Sequence, residues 1–93
     1  MSSSKDFRDF IIEQSGLEGD LQFKPMMGEY LLYYQGKHIG GIFDDRLLVK
    51  KTKMNESLNL PEAIPYHGAK AMLQVDADDR EQVRNVIIIT AKG

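Results

Sequence analysis

The 93-residue chain has no cysteine, no tryptophan, only two histidines and no surplus of positive charge. Without cysteine there is no disulfide framework, no thiolate nucleophile and no cysteine metal site, a composition that suits a reducing compartment. His38 stands in a β-rich run and His67 in a loop-like one, with neither HxH nor HxxxH spacing, so zinc would need ligands gathered from distant carboxylates. Lysine and arginine number 12 against 14 aspartates and glutamates, a net charge of -2, which argues against a protein that coats nucleic acid through bulk charge. No apolar run approaches the roughly 20 residues of a membrane span, and the N-terminal MSSSKDF lacks the apolar core of a secretory signal. A soluble, cytoplasmic protein without membrane association is expected.

Catalytic signatures are missing as well. There is no GxGxxG, GxxxxGK or GxSxG pattern. Asp76, Asp78, Asp79 and Glu81 form an acidic run that lacks the glycine and the spaced final glutamate of a calcium loop, so helix capping is the reading they support. Asp44 and Asp45 read as turn residues ahead of a catalytic carboxylate pair. No catalytic residue, cofactor or metal is expected, and the length suits one domain, residues 1–93.

What the chain does contain is a dense β-rich stretch from Met26 to Lys51, punctuated by turn signals. Gly28 allows a sharp bend into a strand at Tyr30 to Tyr34. If Gln35 and Gly36 form a two-residue hairpin loop, Tyr34 faces Lys37, Tyr33 faces His38, Leu32 faces Ile39, Leu31 faces Gly40 and Tyr30 faces Gly41. If Asp44 and Asp45 form the next, Phe43 faces Arg46, Ile42 faces Leu47, Gly41 faces Leu48 and Gly40 faces Val49. One face then holds Tyr30, Leu32, Ile39, Phe43 and Leu48, and the other holds Leu31, Tyr33, Ile42, Leu47 and Val49. Both are apolar, whereas a meander covered on one side only ordinarily turns polar residues to the other. The second face is therefore expected to be covered by a wrapping helix or by a second copy of the chain, with a homodimer through the sheet surface favoured. Gly28, Glu29, Tyr30, Gly40 and Gly41 mark a candidate groove. Either Tyr30 fills the gap that Gly40 and Gly41 leave in the pleat by lying across its partner glycine, or another stretch of backbone approaches closely there.

The flanks read as helix and connector. Ser3 or Ser4 caps a first helix running to about Ser15, with Asp6 in its first turn, Phe7, Phe10, Ile11 and Gln14 on one stripe, and Gly16 ending it before Leu17. Leu21 to Met26 alternates as a strand, and Pro25 confines it to an edge or a bulge. A short helix over 53–59 and a loop over 60–70 precede a strand from Ala71 to Val75. The last helix opens with a capping box at Asp78 and Glu81 and carries Val83, Val86, Ile87 and Thr90 on one face; the β-branched run Val86 to Ile89 could also be a strand, and the acidic cap favours helix. The expected fold is α+β: two layers, with a three-stranded antiparallel meander plus edge strands packed with N-terminal and C-terminal helices.

One electrostatic feature remains. Lys50, Lys51 and Lys53, joined by Lys70 and His67, could hold a phosphate backbone or an acidic partner. Alternation puts Lys50 and Lys51 on opposite faces, and Glu56 and Glu62 dilute the charge, so a solvated strand end is favoured. A protein partner is accordingly expected ahead of nucleic acid.

The run from Met26 to Lys50 resembles the N-terminal domain family of the bacterial competence regulator TfoX, also called Sxy. In that family a methionine-phenylalanine-glycine-glycine stretch precedes a tyrosine-bearing strand, a glycine turn, a further strand and a leucine-lysine strand end. Met26, Met27 and Gly28 stand at that opening, Tyr30 and Tyr33 in the strand, Gly36 at the turn, and Leu48 and Lys50 near the end. The first helix, the Pro65 and Tyr66 loop, the methionine-containing strand and the final helix follow in the same order. Met27 replaces the usual aromatic residue and Glu29 the second glycine, so a role needing close approach at that glycine does not carry over. The chain also ends without the C-terminal helical domain of full-length regulators. The resemblance implies a compact α+β domain in a bacterial cytoplasm, associated with transcriptional regulation of DNA uptake, and no catalysis.

Overall fold

Three two-residue turns build most of the sheet. In the computed structural model, which describes residues 4–93, Met27 and Gly28 (φ 49° and 86°), Gln35 and Gly36 (51° and 82°), and Asp44 and Asp45 (55° and 54°) each place both central residues in the left-handed region. That is the hairpin geometry whose twist matches the flanking strands. They connect β1 (Leu21–Met26), β2 (Glu29–Tyr34), β3 (Lys37–Ile42) and β4 (Leu47–Val49). Two short strands follow, β5 (Glu62–Ala63) and β6 (Met72–Val75), and the sheet order is β1-β2-β3-β4-β6-β5, antiparallel throughout. Pro25 sits in β1, an edge strand, as expected. Helices α1 (Lys5–Ser15) and α2 (Arg80–Lys92) pack together against one face, giving the expected α+β arrangement.

The helix ends follow their capping residues. Ser4 Oγ accepts from Phe7 N at 3.1 Å and Gly16 closes α1 at φ 66°; Ser3, the other expected cap, lies outside the described residues. In α2 the expected cap is corrected by one residue. Asp78 N donates to Asp76 Oδ1, an aspartate-centred turn that moves the helix start forward, so Asp79 accepts from Gln82 N at 3.1 Å while Gln82 Oε1 receives Asp76 N at 2.6 Å. Val83, Val86, Ile87 and Thr90 are all buried, and the β-branched run is helical. Only Glu56–Leu58 of the expected 53–59 helix forms, as a single 3-10 turn. Glu62 and Ala63 pair with Leu73 and Met72 instead of remaining in a loop, because the pairing surface comes from a distant strand that no local pattern reveals.

The register of the second hairpin is also corrected. Leu32 pairs with Gly40 and Tyr33 with His38, which leaves Ile39 as an extra residue, a β-bulge. Beyond it Leu31 faces Gly41 and Tyr30 faces Ile42, one step from the expected pairing, while the β3–β4 pairing is as expected. The consequence is a redistribution of side chains. Tyr30, Leu32, Ile39, Ile42, Leu47 and Val49 all join the helix-side core with Leu73 and Val75. The face away from the helices keeps Leu31, Tyr33, Phe43 and Leu48, of which Phe43 and Leu48 are themselves buried, so the sheet does not present the two equally apolar faces that the unbulged register implied.

Gly40 makes the bulge sterically feasible. A β-carbon there would strike the Leu48 carbonyl oxygen and lie 2.8 Å from Val49 Cα. Of the two readings of the glycine pair, close backbone approach is the one realised. Tyr30 does not fill the gap: it lies on the helix side, edge-on to Phe23 with ring centroids 6.3 Å apart, under the Arg8 guanidinium at 5.4 Å. Over Gly41 it is the Phe43 ring that comes close.

Asn55 is wholly buried and ties the exit of β4 to α2. Its Nδ2 donates to Lys50 O (2.8 Å) and Thr90 Oγ1 (2.9 Å), and its Oδ1 accepts from Thr52 N (2.9 Å). Asn55→Ala leaves these groups without partners in a closed site, and a loss of about 2–4 kcal/mol is expected from urea unfolding. Gly40→Ala should cost about 2–3 kcal/mol in the same measurement, through overlap with the β4 backbone. Gly19→Ala, which meets nothing within 4 Å, is the control and should stay within about 0.5 kcal/mol.

Candidate functional site

Strand alternation sends Met26, Leu31, Tyr33, His38, Phe43 and Met72 away from the helices. Residues 64–71 leave β5, cross this face, cover part of it and return to β6. Arg46, opposite Phe43 at the third hairpin, holds the crossing segment. Its Nε donates to Phe43 O at 3.1 Å, and its Nη2 donates to Ile64 O at 3.1 Å and, more weakly, to Pro65 O at 3.5 Å. Phe43 and Tyr66 stand with ring centroids 6.1 Å apart, and Pro65 is buried. The segment forms one wall of a groove of about 670 Å³, Leu31 and His38 lie on the other side, and Gly40 contributes bare backbone. A second hollow of about 820 Å³ shares Met26, Phe43, Pro65 and Tyr66 with the first and extends it toward Met27, Arg46 and His67. Three exposed apolar side chains, Met27, Ile64 and Tyr66, gather at that end; Met27 is 98% exposed.

The opposite end is basic. Lys50, Lys51 and Lys70 line it beside His38. The Lys24 ammonium lies 4.7 Å from the Tyr33 ring centroid, and that ring lies 5.2 Å from the His38 imidazole. Burial pushes the His38 pKa below its usual 6.5, and the positive charge of Lys50 pushes it further in the same direction; a hydrogen bond with the Gly40 backbone only partly opposes them.

The structure separates the residues that the sequence grouped together. Lys50 and Lys70 line the groove. Lys51 Nζ is bonded to Glu62 Oε2 at 2.6 Å, and Lys53 lines a separate depression of about 420 Å³ with Glu56 and Glu62. The four lysines therefore form no single cluster, because β4 ends at Val49 and the chain turns away after Lys50. Of the expected groove residues, Gly40 lines it, Gly41 is covered by Phe43, and Gly28 sits in the turn beneath Met27. Tyr30 is on the opposite face, displaced by the register. Glu29 lines the apolar end and its Oε2 accepts from Asp44 N at 2.8 Å, linking two hairpin tips. Sequence reasoning missed Leu31, Phe43, Arg46 and Met72 as groove residues. Arg46 opposite Phe43 was readable from the turn; the crossing of residues 64–71 was not. Among the described residues no three metal-ligating side chains come together, and no helix is long and apolar enough to cross a membrane.

Fold and site together define an α+β domain with an open antiparallel sheet, helices on one side and a grooved, partly basic surface on the other. No family model matches the sequence. It is 30% identical over 95 residues to the uncharacterized 12.7 kDa protein in the trpE 5′ region of Spirochaeta aurantia, an alignment that spans 98% of this chain and 83% of that protein. The chain belongs to the same family as that spirochaete protein.

The depressed His38 pKa makes the stability of the fold depend on pH. Below about pH 6.5 the unfolded chain takes up a proton that folded His38 refuses, so stability is full above that pH and is lost as pH falls toward the folded value. The urea midpoint should therefore drop between about pH 7.5 and 5.5 by more in the native chain than in His38→Gln. Lys50→Gln should raise the His38 pKa in an NMR titration; an unmoved or lowered value would contradict the coupling.

Proposed function

We propose that this chain is a non-enzymatic regulatory domain of the TfoX N-terminal type, working in a bacterial cytoplasm by docking a protein partner in the groove on the sheet face away from the helices. The observation that carries this reading is the groove itself: an apolar trough between Leu31, Phe43 and Met72, continuous with exposed Met27, Ile64 and Tyr66. Exposed apolar side chains that cluster beside a preformed hollow are the usual mark of a protein-binding surface. The order of motifs from Met26 to Lys50 supports the family reading.

Nucleic-acid or phosphate binding through Lys50, Lys51, Lys53 and Lys70 is the weaker reading, because Lys51 is paired with Glu62 and Lys53 faces a different depression. Photo-crosslinking in cells separates the two. A crosslinker at Tyr66 should yield protein adducts that survive nuclease and about 0.5 M salt, and one at Glu13, on the exposed side of α1, should yield none. Four lysine–phosphate contacts on a single strand would instead lose roughly 600-fold in affinity per tenfold rise in salt. Adducts that vanish with nuclease, or equal yields from both positions, would overturn the docking role.

A further inference from the structure

We propose that the groove takes an extended acidic–apolar peptide segment, its carboxylates held by Lys50 and Lys70 and its apolar side chains seated between Leu31, Phe43 and Met72. This rests on the docking reading above and assigns the chemistry of the partner. Charge is the first argument. The residues lining the basic half of the groove include three lysines and no carboxylate, and Lys51 alone among the three is ion-paired within the described residues. The positive field of Lys50 is strong enough to act against protonation of the neighbouring imidazole. A carboxylate placed between Lys50 and Lys70 relieves that field without displacing an existing ion pair.

Shape is the second argument. From His38 to Phe43 the lining advances four ladder steps once the bulge at Ile39 is discounted, about 13 Å at roughly 3.3 Å per residue, which is the span of some four residues of extended peptide. Alternate side chains of such a segment point into the groove while the others, and much of the backbone, stay in water. The groove is partly open to solvent, so a peptide seated in it keeps much of its backbone hydrated, whereas a fatty acid there would leave much of its chain in water. Arg46 and the Phe43–Tyr66 contact hold the crossing wall in place before anything binds.

Three probes test this by NMR on the isotope-labelled full chain. One is an acetylated, amidated hexapeptide, leucine-serine-leucine-serine-glutamate-glutamate; the second has lysines for the two glutamates; the third is octanoate. The glutamate peptide should shift the Met72 methyl and the Lys50 and Lys70 signals and raise the His38 pKa on binding, while the lysine peptide should do neither. Lys50→Gln with Lys70→Gln should weaken the glutamate peptide about tenfold or more. Lys53→Gln, in the other depression, should leave it unchanged. These lysines are exposed, so the variants keep the fold. Equal binding of both peptides, binding of octanoate alone, or no binding of the glutamate peptide at about 5 mM each overturn the proposal. Protein adducts from Tyr66 without peptide binding would leave the docking role standing and remove this assignment of its partner.

Discussion

The Leu48 carbonyl oxygen lies where a β-carbon on residue 40 would have to be, and much of the molecule follows from that contact. With glycine there, β4 closes against β3 although Ile39 has been squeezed out of the ladder as a bulge. The bulge reverses the alternation of everything after it. Ile42, Leu47 and Val49 turn to the helices, joining Tyr30 and Leu32 in one core, and Phe43 turns to the other side. A single extra residue thus concentrates the aliphatic side chains on the face the helices cover. It also places the one large aromatic that supports the crossing segment.

That same residue marks the limit of what the sequence discloses. The hairpin loops at Gln35–Gly36 and Asp44–Asp45, the edge strand with Pro25, the Gly16 terminus and the stripe of α2 were all legible, because each rests on chemistry local to a few residues. The bulge was not, since nothing in His38-Ile39-Gly40 distinguishes an extra residue from a paired one until β4 is laid alongside. β5 and the path of residues 64–71 were hidden for a related reason: both depend on partners far away in the chain. The lysines and glycines singled out in the sequence were real surface and backbone features, yet the register decided which of them share a surface. Tyr30 went to the core, Lys53 went to a second depression, and Lys51, at the border of both hollows, pairs with Glu62.

The groove joins two kinds of residue that the sequence keeps apart. Leu31, His38 and Phe43 come from the meander, and Pro65, Tyr66 and Lys70 from a segment that reads as connector. Arg46 is the bridge, reaching from the third hairpin to the carbonyls of the crossing segment. Membership in the family of the spirochaete protein extends over nearly the whole chain, so it encompasses the meander and the crossing segment together.

Two hairpin tips at the apolar end are yoked. Glu29, in β2 just after the first turn, takes the amide hydrogen of Asp44 in the third, and Asp45 beside it accepts from Ser4 at the head of α1. Turn tips are ordinarily the loosest parts of a meander, so these bonds surrender their freedom at folding. A molecule settling against Met27 and Tyr66 would meet a rim already ordered, so little conformational entropy would be lost in stilling the surface beneath it.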